Sequence, residues 1–199
     1  MGVREARQED AAAVARLLLE SAPGMYDRYA GGRARALAAL EHAFAEPGNV
    51  ASMEVAWVVE LDGEPAAAMA AFPVSEADAR SRAFLRLALR REPVWLWPRT
   101  LRLYAAGGRS VPEPPGSSFY VDALATGARF RRRGAARALL AEAERQARER
   151  GLPAVALDTT LDNEVSRALY ASEGFDEVAY RPPSRSLPGF VALVKPVGR

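Results

Sequence analysis

Apolar residues recur along this 199-residue chain in two ways, as short runs and as longer stretches at helical spacing, and the two kinds are interleaved. Gly2–Ala6 reads as a short first strand, with Val3 its clearest apolar position. From Glu9 to about Glu20, Ala13, Leu17 and Leu18 fall near one face of a helix that Ser21-Ala22-Pro23-Gly24 stops. Met25–Tyr29 is a loop or a short helical turn, and a second helix is predicted over Arg33–Ala45, ended by Pro47-Gly48. Val55–Leu61 and Ala66–Phe72 are apolar runs flanking Asp62-Gly63, which predicts a hairpin.

The second half repeats this economy. A strand is predicted over about Ser118–Ala125 and a helix over Gly134–Arg150, where Ala136, Leu139, Leu140, Ala143 and Ala147 fall at helical spacing before the cap Gly151. Ala154–Thr159 is an apolar strand, expected to lie parallel to the one before that helix through a right-handed crossover. A short helix over about Glu164–Ser172 and strands near Phe175–Tyr180 and Phe190–Val194 complete a mixed α/β chain.

Between the halves, Ala83–Arg90 sets Phe84, Leu85, Leu87 and Leu89 among arginines, and Val94–Trp97 carries Trp95 and Trp97. Glu76–Ser110 holds eight Arg against three acids, a local net of +5, and Pro112-Glu-Pro-Pro115 closes it as an extended linker.

Length fits one domain with a substantial core. The overall net charge is only +2, which gives no general argument for nucleic acid or an anionic membrane. There is no Cys and a single His, His42, so disulfides, a thiolate nucleophile, a His-cluster metal site and a Ser-His-Asp triad are all disfavoured. With no charged-apolar-small leader and no apolar run approaching about 18 residues, the expected location is the cytoplasm.

The strongest chemical signal is the turn between the Ser118–Ala125 strand and its helix. A helix start presents unpaired N–H groups and the positive end of the dipole, which suits a phosphate. Arg131, Arg132 and Arg133 add charge there, and Gly134 and Ala136 leave the backbone open to close approach. The pattern Arg131-x-x-Gly134-x-Ala136 resembles motif A of the GNAT N-acetyltransferase superfamily. Asp158-Thr-Thr-Leu-Asp-Asn163, followed by Ala168-x-Tyr170 and Gly174-Phe175, resembles its motif B, in the family's order and separation. The resemblance covers residues 118–195 by motif and 1–72 by element order. It implies the GNAT acyltransferase fold over residues 1–199: a mostly antiparallel sheet with one splayed parallel pair and flanking helices. Residues 76–115 are then a helical insertion and linker where the family has a short turn.

The resemblance further implies acetyl-CoA as co-substrate and no metal. The backbone of Leu124, Ala125 and Thr126 would bond the pantetheine amides, and the N–H groups from Arg132 through Gly134, Ala135 and Ala136 to Arg137 would hold the pyrophosphate. Arg132 stands where the family commonly has Gly, which is tolerable if its φ is negative. Tyr170 matches the phenol that protonates the departing sulfur, the alternative being a packed aromatic. Asp122 stands where some members carry the base for the amine. Alternation places it with Tyr120 and Leu124 on one strand face, opposite Val121, Ala123 and Ala125. An exposed or salt-bridged acid is the equal alternative, because a carboxylate on an apolar strand is costly to bury without a purpose. Asn163 reads first as a helix cap and second as a CoA contact. Asp158 is a weaker candidate for the acceptor site, and Gly174-Phe175 reads as a helix stop followed by a core aromatic.

The acceptor pocket would be lined by Met25–Tyr29 and Arg181–Pro188, with the insertion as lid, dimer contact or extra packing. An amphipathic membrane-surface patch fits its Arg/Trp composition, but Pro93 and Pro98 break it into short helices, so no stable membrane association is expected. The function expected is transfer of acetyl from acetyl-CoA to a primary amine, on a small molecule or a peptide, by direct attack in a ternary complex. The alternative is an inactive acyl-CoA-binding sensor or interaction module. A nucleic-acid partner is disfavoured by the balanced charge, and a homodimer is common in the family.

Overall fold

The apolar runs join into one seven-stranded sheet. Its strands are β1 (Gly2–Glu5), β2 (Ala56–Leu61), β3 (Glu64–Pro73), β4 (Ser118–Thr126), β5 (Ala154–Thr160), β6 (Asp176–Arg181) and β7 (Phe190–Pro196), in the order β1-β2-β3-β4-β5-β7-β6. This computed structural model describes residues 2–184 and 187–198. Arg185 and Ser186, within the segment expected to line the acceptor pocket, lie outside the described residues. Every neighbouring pair is antiparallel except β4 and β5. Asp62 and Gly63 turn the β2–β3 hairpin with φ of 56° and 77°, the left-handed pair that a tight turn between twisted strands demands.

Among the described residues seven α-helices pack around the sheet: α1 (Ala11–Ser21), α2 (Met25–Ala30), α3 (Arg33–Ala45), α4 (Val74–Arg91), α5 (Trp97–Ser110), α6 (Ala135–Glu149) and α7 (Glu164–Ser172). On one face, Leu139, Leu140 and Ala143 of α6 bury against Trp57, Met69, Phe119, Val121 and Leu157. On the other, Val14 and Leu18 of α1 and Leu40 and Phe44 of α3 bury against Val58, Ala68, Ala70 and Ala123. The α6 stripe repeats every three to four residues, so burial favours that helix beyond its propensity. Gly151 ends α6 at φ 65°, with the Leu152 N–H bonded to the Ala147 carbonyl. Among the described residues no helix is long and apolar enough to cross a membrane.

Two expectations change. The insertion is built from helices of 18 and 14 residues rather than short interrupted ones. Pro93 falls between α4 and α5, and Pro98 sits in the first turn of α5, where its missing N–H has no partner to lose. The prolines bound the helices instead of breaking them.

The second change is on β4. Ala70 pairs with Ala123 and Ala71 with Val121, so Asp122 is an extra residue with no partner on β3. A bulge of this kind resets alternation. Leu124 therefore packs on the α6 side, with Phe119 and Val121, while Ala123 and Ala125 pack on the α1–α3 side. The expected grouping of Tyr120, Asp122 and Leu124 does not hold.

Candidate active site

The parallel ladder of β4 and β5 runs from Ser118↔Ala154 to Val121↔Leu157 and stops, although β4 continues to Thr126 and β5 to Thr160. One further step of that register sets Asp122 opposite Asp158. Beyond this point the strands separate, and a cleft of about 1310 Å³ opens at their ends. Asp122, Asp158 and Tyr120 line it from the sheet, Tyr26 and Tyr29 from α2, and Tyr170 from α7. Helices α4 and α5 of the insertion supply another wall, with Phe84 and Tyr104.

The electrostatics follow from this crowding. Burial, with a contribution from the charge of Asp158, pushes the Asp122 carboxyl up to about 7. Burial likewise pushes Asp158 up to about 6, against the hydrogen bond that the Tyr120 hydroxyl donates to its Oδ1. The Tyr120 hydroxyl is driven well above the usual phenol range by burial and by both carboxylates. Tyr170 is 6 % exposed and packs its ring 6.0 Å from that of Phe175. Burial first, then the Asp158 charge, pushes its hydroxyl up to about 12, while Ser166 pulls the other way. At neutral pH Tyr170 holds its proton, and Asp122 is poised between its two states.

The basic turn leads from the end of β4 to α6. Arg131 has φ −59°, Arg132 φ 64° and Gly134 φ 84°, so two residues of this short turn take the left-handed conformation. Among the described residues, the N–H groups of Arg132, Arg133, Gly134, Ala135, Ala136 and Arg137 have no backbone or side-chain acceptor; the first helical bond is Ala138 N–H to Gly134 O. The φ of Arg132 is positive, so the condition under which an arginine is readily tolerated there is not met. The turn needs a left-handed residue there, which is why glycine suits this position and why Arg carries a cost of about 1–2 kcal/mol.

The arginine side chains divide. Arg133 pairs with Asp62 at 2.7 Å and Arg137 with Glu173 at 2.7 Å, both at the exposed surface. Arg131 and Arg132 have no carboxylate partner among the described residues. Ala135 is buried in the core beside Leu139, so its side chain serves packing. Leu124, Ala125 and Thr126 lie on the stretch of β4 that β5 leaves unpaired, and Thr126 Oγ1 is buried without a hydrogen-bond partner.

A scan against protein families matches the model described as the acetyltransferase (GNAT) family over residues 16–175. The chain belongs to the acetyltransferase (GNAT) family. No curated protein sequence matches it. Among solved structures it is similar to an N-acetyltransferase of Staphylococcus aureus Mu50, at 19% identity and TM-score 0.73 over 98% of this chain and 100% of that one. It is also similar to a structure described as an acetyltransferase, at 22% identity and TM-score 0.69 over the whole of both chains. A third is the ribosomal-protein-S18-alanine N-acetyltransferase of Escherichia coli, at 13% identity and TM-score 0.58 over 100% of this chain and 94% of that one. At these identities the likeness establishes the GNAT fold, and acetyl transfer as the general class of chemistry rests on the family.

Against that fold, Asp122 and Tyr170 come together at one cleft, and the residues from Leu124 to Arg137 follow one continuous path away from it. Asn163 caps α7: its Oδ1 accepts from Ser166 N–H at 3.2 Å, and its Nδ2 donates to Thr159 Oγ1. It also lines the cleft, whereas His42, in α3, does not. Phe175 is buried after Gly174 at φ 83°, as a helix stop and core aromatic should be. Asp158 and Tyr26 both line the cleft, Tyr26 within the Met25–Tyr29 stretch named for the acceptor pocket, whereas the bond from the Tyr120 hydroxyl to Asp158 is not legible in the sequence. The available signal for Asp158 was the matching of two acids at equivalent places on parallel strands.

Proposed function

We propose that the protein transfers an acetyl group from acetyl-CoA to a primary amine by direct attack in a ternary complex. The observation that carries this reading is one continuous feature: an unpaired gap between β4 and β5, with free N–H groups at one end and two groups of shifted acidity at the other. Bound acetyl-CoA would supply the activated thioester. The buried, unpartnered Thr126 Oγ1 and the exposed edge of Leu124 and Ala125 fit the amides of its pantetheine arm. The N–H groups from Arg132 to Arg137, with Arg131 and Arg132 beside them, fit its pyrophosphate. Asn163 is already committed to its cap and stands at the side of the cleft.

An amine in the cleft meets Asp122 and Asp158. Asp122 accepts a proton from the ammonium, for which an acidity near the working pH is the favourable setting. Asp158, held by the Tyr120 hydroxyl, keeps negative charge beside the cation. Tyr170 carries a proton at its hydroxyl and can give it to the departing sulfur. The chain holds no Cys, and direct attack requires no covalent enzyme intermediate. Holding donor and amine together in the gap is the largest contribution available, worth roughly 7–11 kcal/mol in well-oriented cases.

The test is calorimetry with acetyl-CoA on the wild type and on Gly134→Trp, followed by an amine screen read by mass spectrometry. Binding that the substitution abolishes, with acetylated amine formed, supports the proposal. Absence of binding by the wild type overturns it. Tight binding with no turnover on any amine favours the sensor.

A further inference from the structure

The tip of the insertion presents a second surface, which meets the cleft at Arg91, Glu92 and Thr100. Between α4 and α5 the chain makes a tight turn at Val94–Leu96, and its apolar side chains point out: Trp95 is 76% exposed, Val94 66%, Leu101 43% and Trp97 38%. Large apolar groups this exposed, and adjacent, mark an interaction site rather than scattered surface. Arg90 and Arg91 end α4, and Arg99 and Arg102 begin α5, all exposed. The one acid in this tip is Glu92, and it already accepts a hydrogen bond from the Thr100 hydroxyl at 2.7 Å. None of the four arginines has a carboxylate partner among the described residues.

The tip is held in shape. Trp97 Nε1 donates to the carbonyls of Leu89 and Glu92, which stitches the start of α5 to the end of α4. Arg99 donates to the Arg28 carbonyl, which ties the pair to α2. The exposed aromatic is therefore presented on a fixed scaffold.

We infer that this tip docks reversibly on an anionic lipid surface, with Val94 and Trp95 entering the headgroup region and Arg90, Arg91, Arg99 and Arg102 meeting lipid phosphates and carboxylates. Charge complementarity decides the occupant. A second copy of the chain seated on the same patch by two-fold symmetry would bring arginines against arginines. Nucleic acid would match the arginines and could stack on Trp95, but it gains nothing from Val94 and Leu101. A lipid interface takes all three parts, because Trp favours the headgroup level, aliphatic groups the layer beneath, and long arginines the phosphates above.

The experiment is co-sedimentation of the full chain with vesicles of phosphatidylcholine, with and without phosphatidylserine, at low and at physiological salt. The wild type should pellet only with the serine lipid, and less as salt rises. Val94→Ser with Trp95→Ser, and separately Arg90→Glu with Arg102→Glu, should each weaken binding by about tenfold or more, as expected for removing apolar insertion or several surface charges. Circular dichroism should remain as in the wild type, which separates loss of docking from loss of fold. Equal binding to both vesicle types, no binding to either, or binding that both variants retain would overturn the inference. So would a dimer that Val94→Ser with Trp95→Ser dissociates, or retention on single-stranded RNA without binding to vesicles.

Discussion

Asp122 and Asp158 directly follow Val121 and Leu157, the last residues that pair β4 with β5, and both line the cleft. The charge of Asp158 adds to the burial that pushes the Asp122 carboxyl up, because two carboxylates this close resist ionising together. The two acids are not equivalent. Asp158 is anchored by the Tyr120 hydroxyl, two residues before Asp122 on β4, whereas Asp122 sits on a bulge and its carboxyl has no hydrogen bond among the described residues. In the proposed reaction the first keeps its charge and the second exchanges the proton.

This arrangement costs stability at neutral pH. The Asp122 carboxyl is pushed up to about 7 in the folded chain from an ordinary value of 3.8. The folded state therefore holds that proton more tightly than the unfolded state, and stability falls as pH rises from about 4 through about 7. Asp122→Asn should raise stability at about pH 8 by about 1–3 kcal/mol and leave it nearly unchanged at about pH 4. Urea denaturation at the two pH values measures this.

Tyr170 offers a separable prediction. Tyr170→Phe keeps the ring against Phe175 and removes only the hydroxyl. Acetyl-CoA affinity should stay within about twofold while kcat falls by about 10²-fold or more, the usual scale for a lost general acid. Calorimetry and steady-state kinetics with one amine make the comparison.

The insertion wall of the cleft rests on a close approach. A Cβ at Gly107 of α5 would overlap the hydroxyl of Tyr29 on α2. In an ordinary helix Gly→Ala is stabilising by about 0.5–1 kcal/mol, but here Tyr29 must move. Gly107→Ala should raise the KM for the amine several-fold and leave that for acetyl-CoA unchanged, because Tyr29 lines the cleft and the basic turn does not.

The basic turn yields a pair of opposite effects. Arg132→Gly removes an L side chain from φ 64° and should stabilise by about 0.5–1 kcal/mol, whereas Gly134→Ala at φ 84° should destabilise by about 1 kcal/mol. Thermal melts of the two variants read both signs.

Much of this was legible in the chain itself. Arg33–Ala45 and Glu164–Ser172 are helices over the spans that periodicity and stop residues predict, and Asp62-Gly63 turns the hairpin it predicts. The parallel pairing of β4 with β5 follows from strand, helix and strand in succession. What escaped was tertiary. No local pattern announces the bulge at Asp122, because an extra residue on β4 is defined only against its partner strand. The φ of Arg132 is imposed by the turn against the preference of the residue. Tyr120 reaches Asp158 only once two strands distant in sequence lie side by side. Pro93 and Pro98 looked like breaks because proline is informative about helix interiors and ambiguous at helix starts.

The most direct test of the account is the pH dependence of kcat/KM, which reports groups of the free enzyme, for the wild type and for Asp122→Asn. A base must be unprotonated to act, so the wild-type rate should rise through about pH 7 to a plateau. In Asp122→Asn the rate should fall by about 10²-fold or more and lose that limb. A variant that keeps the wild-type rate and the same rise near pH 7 would contradict Asp122 as the base.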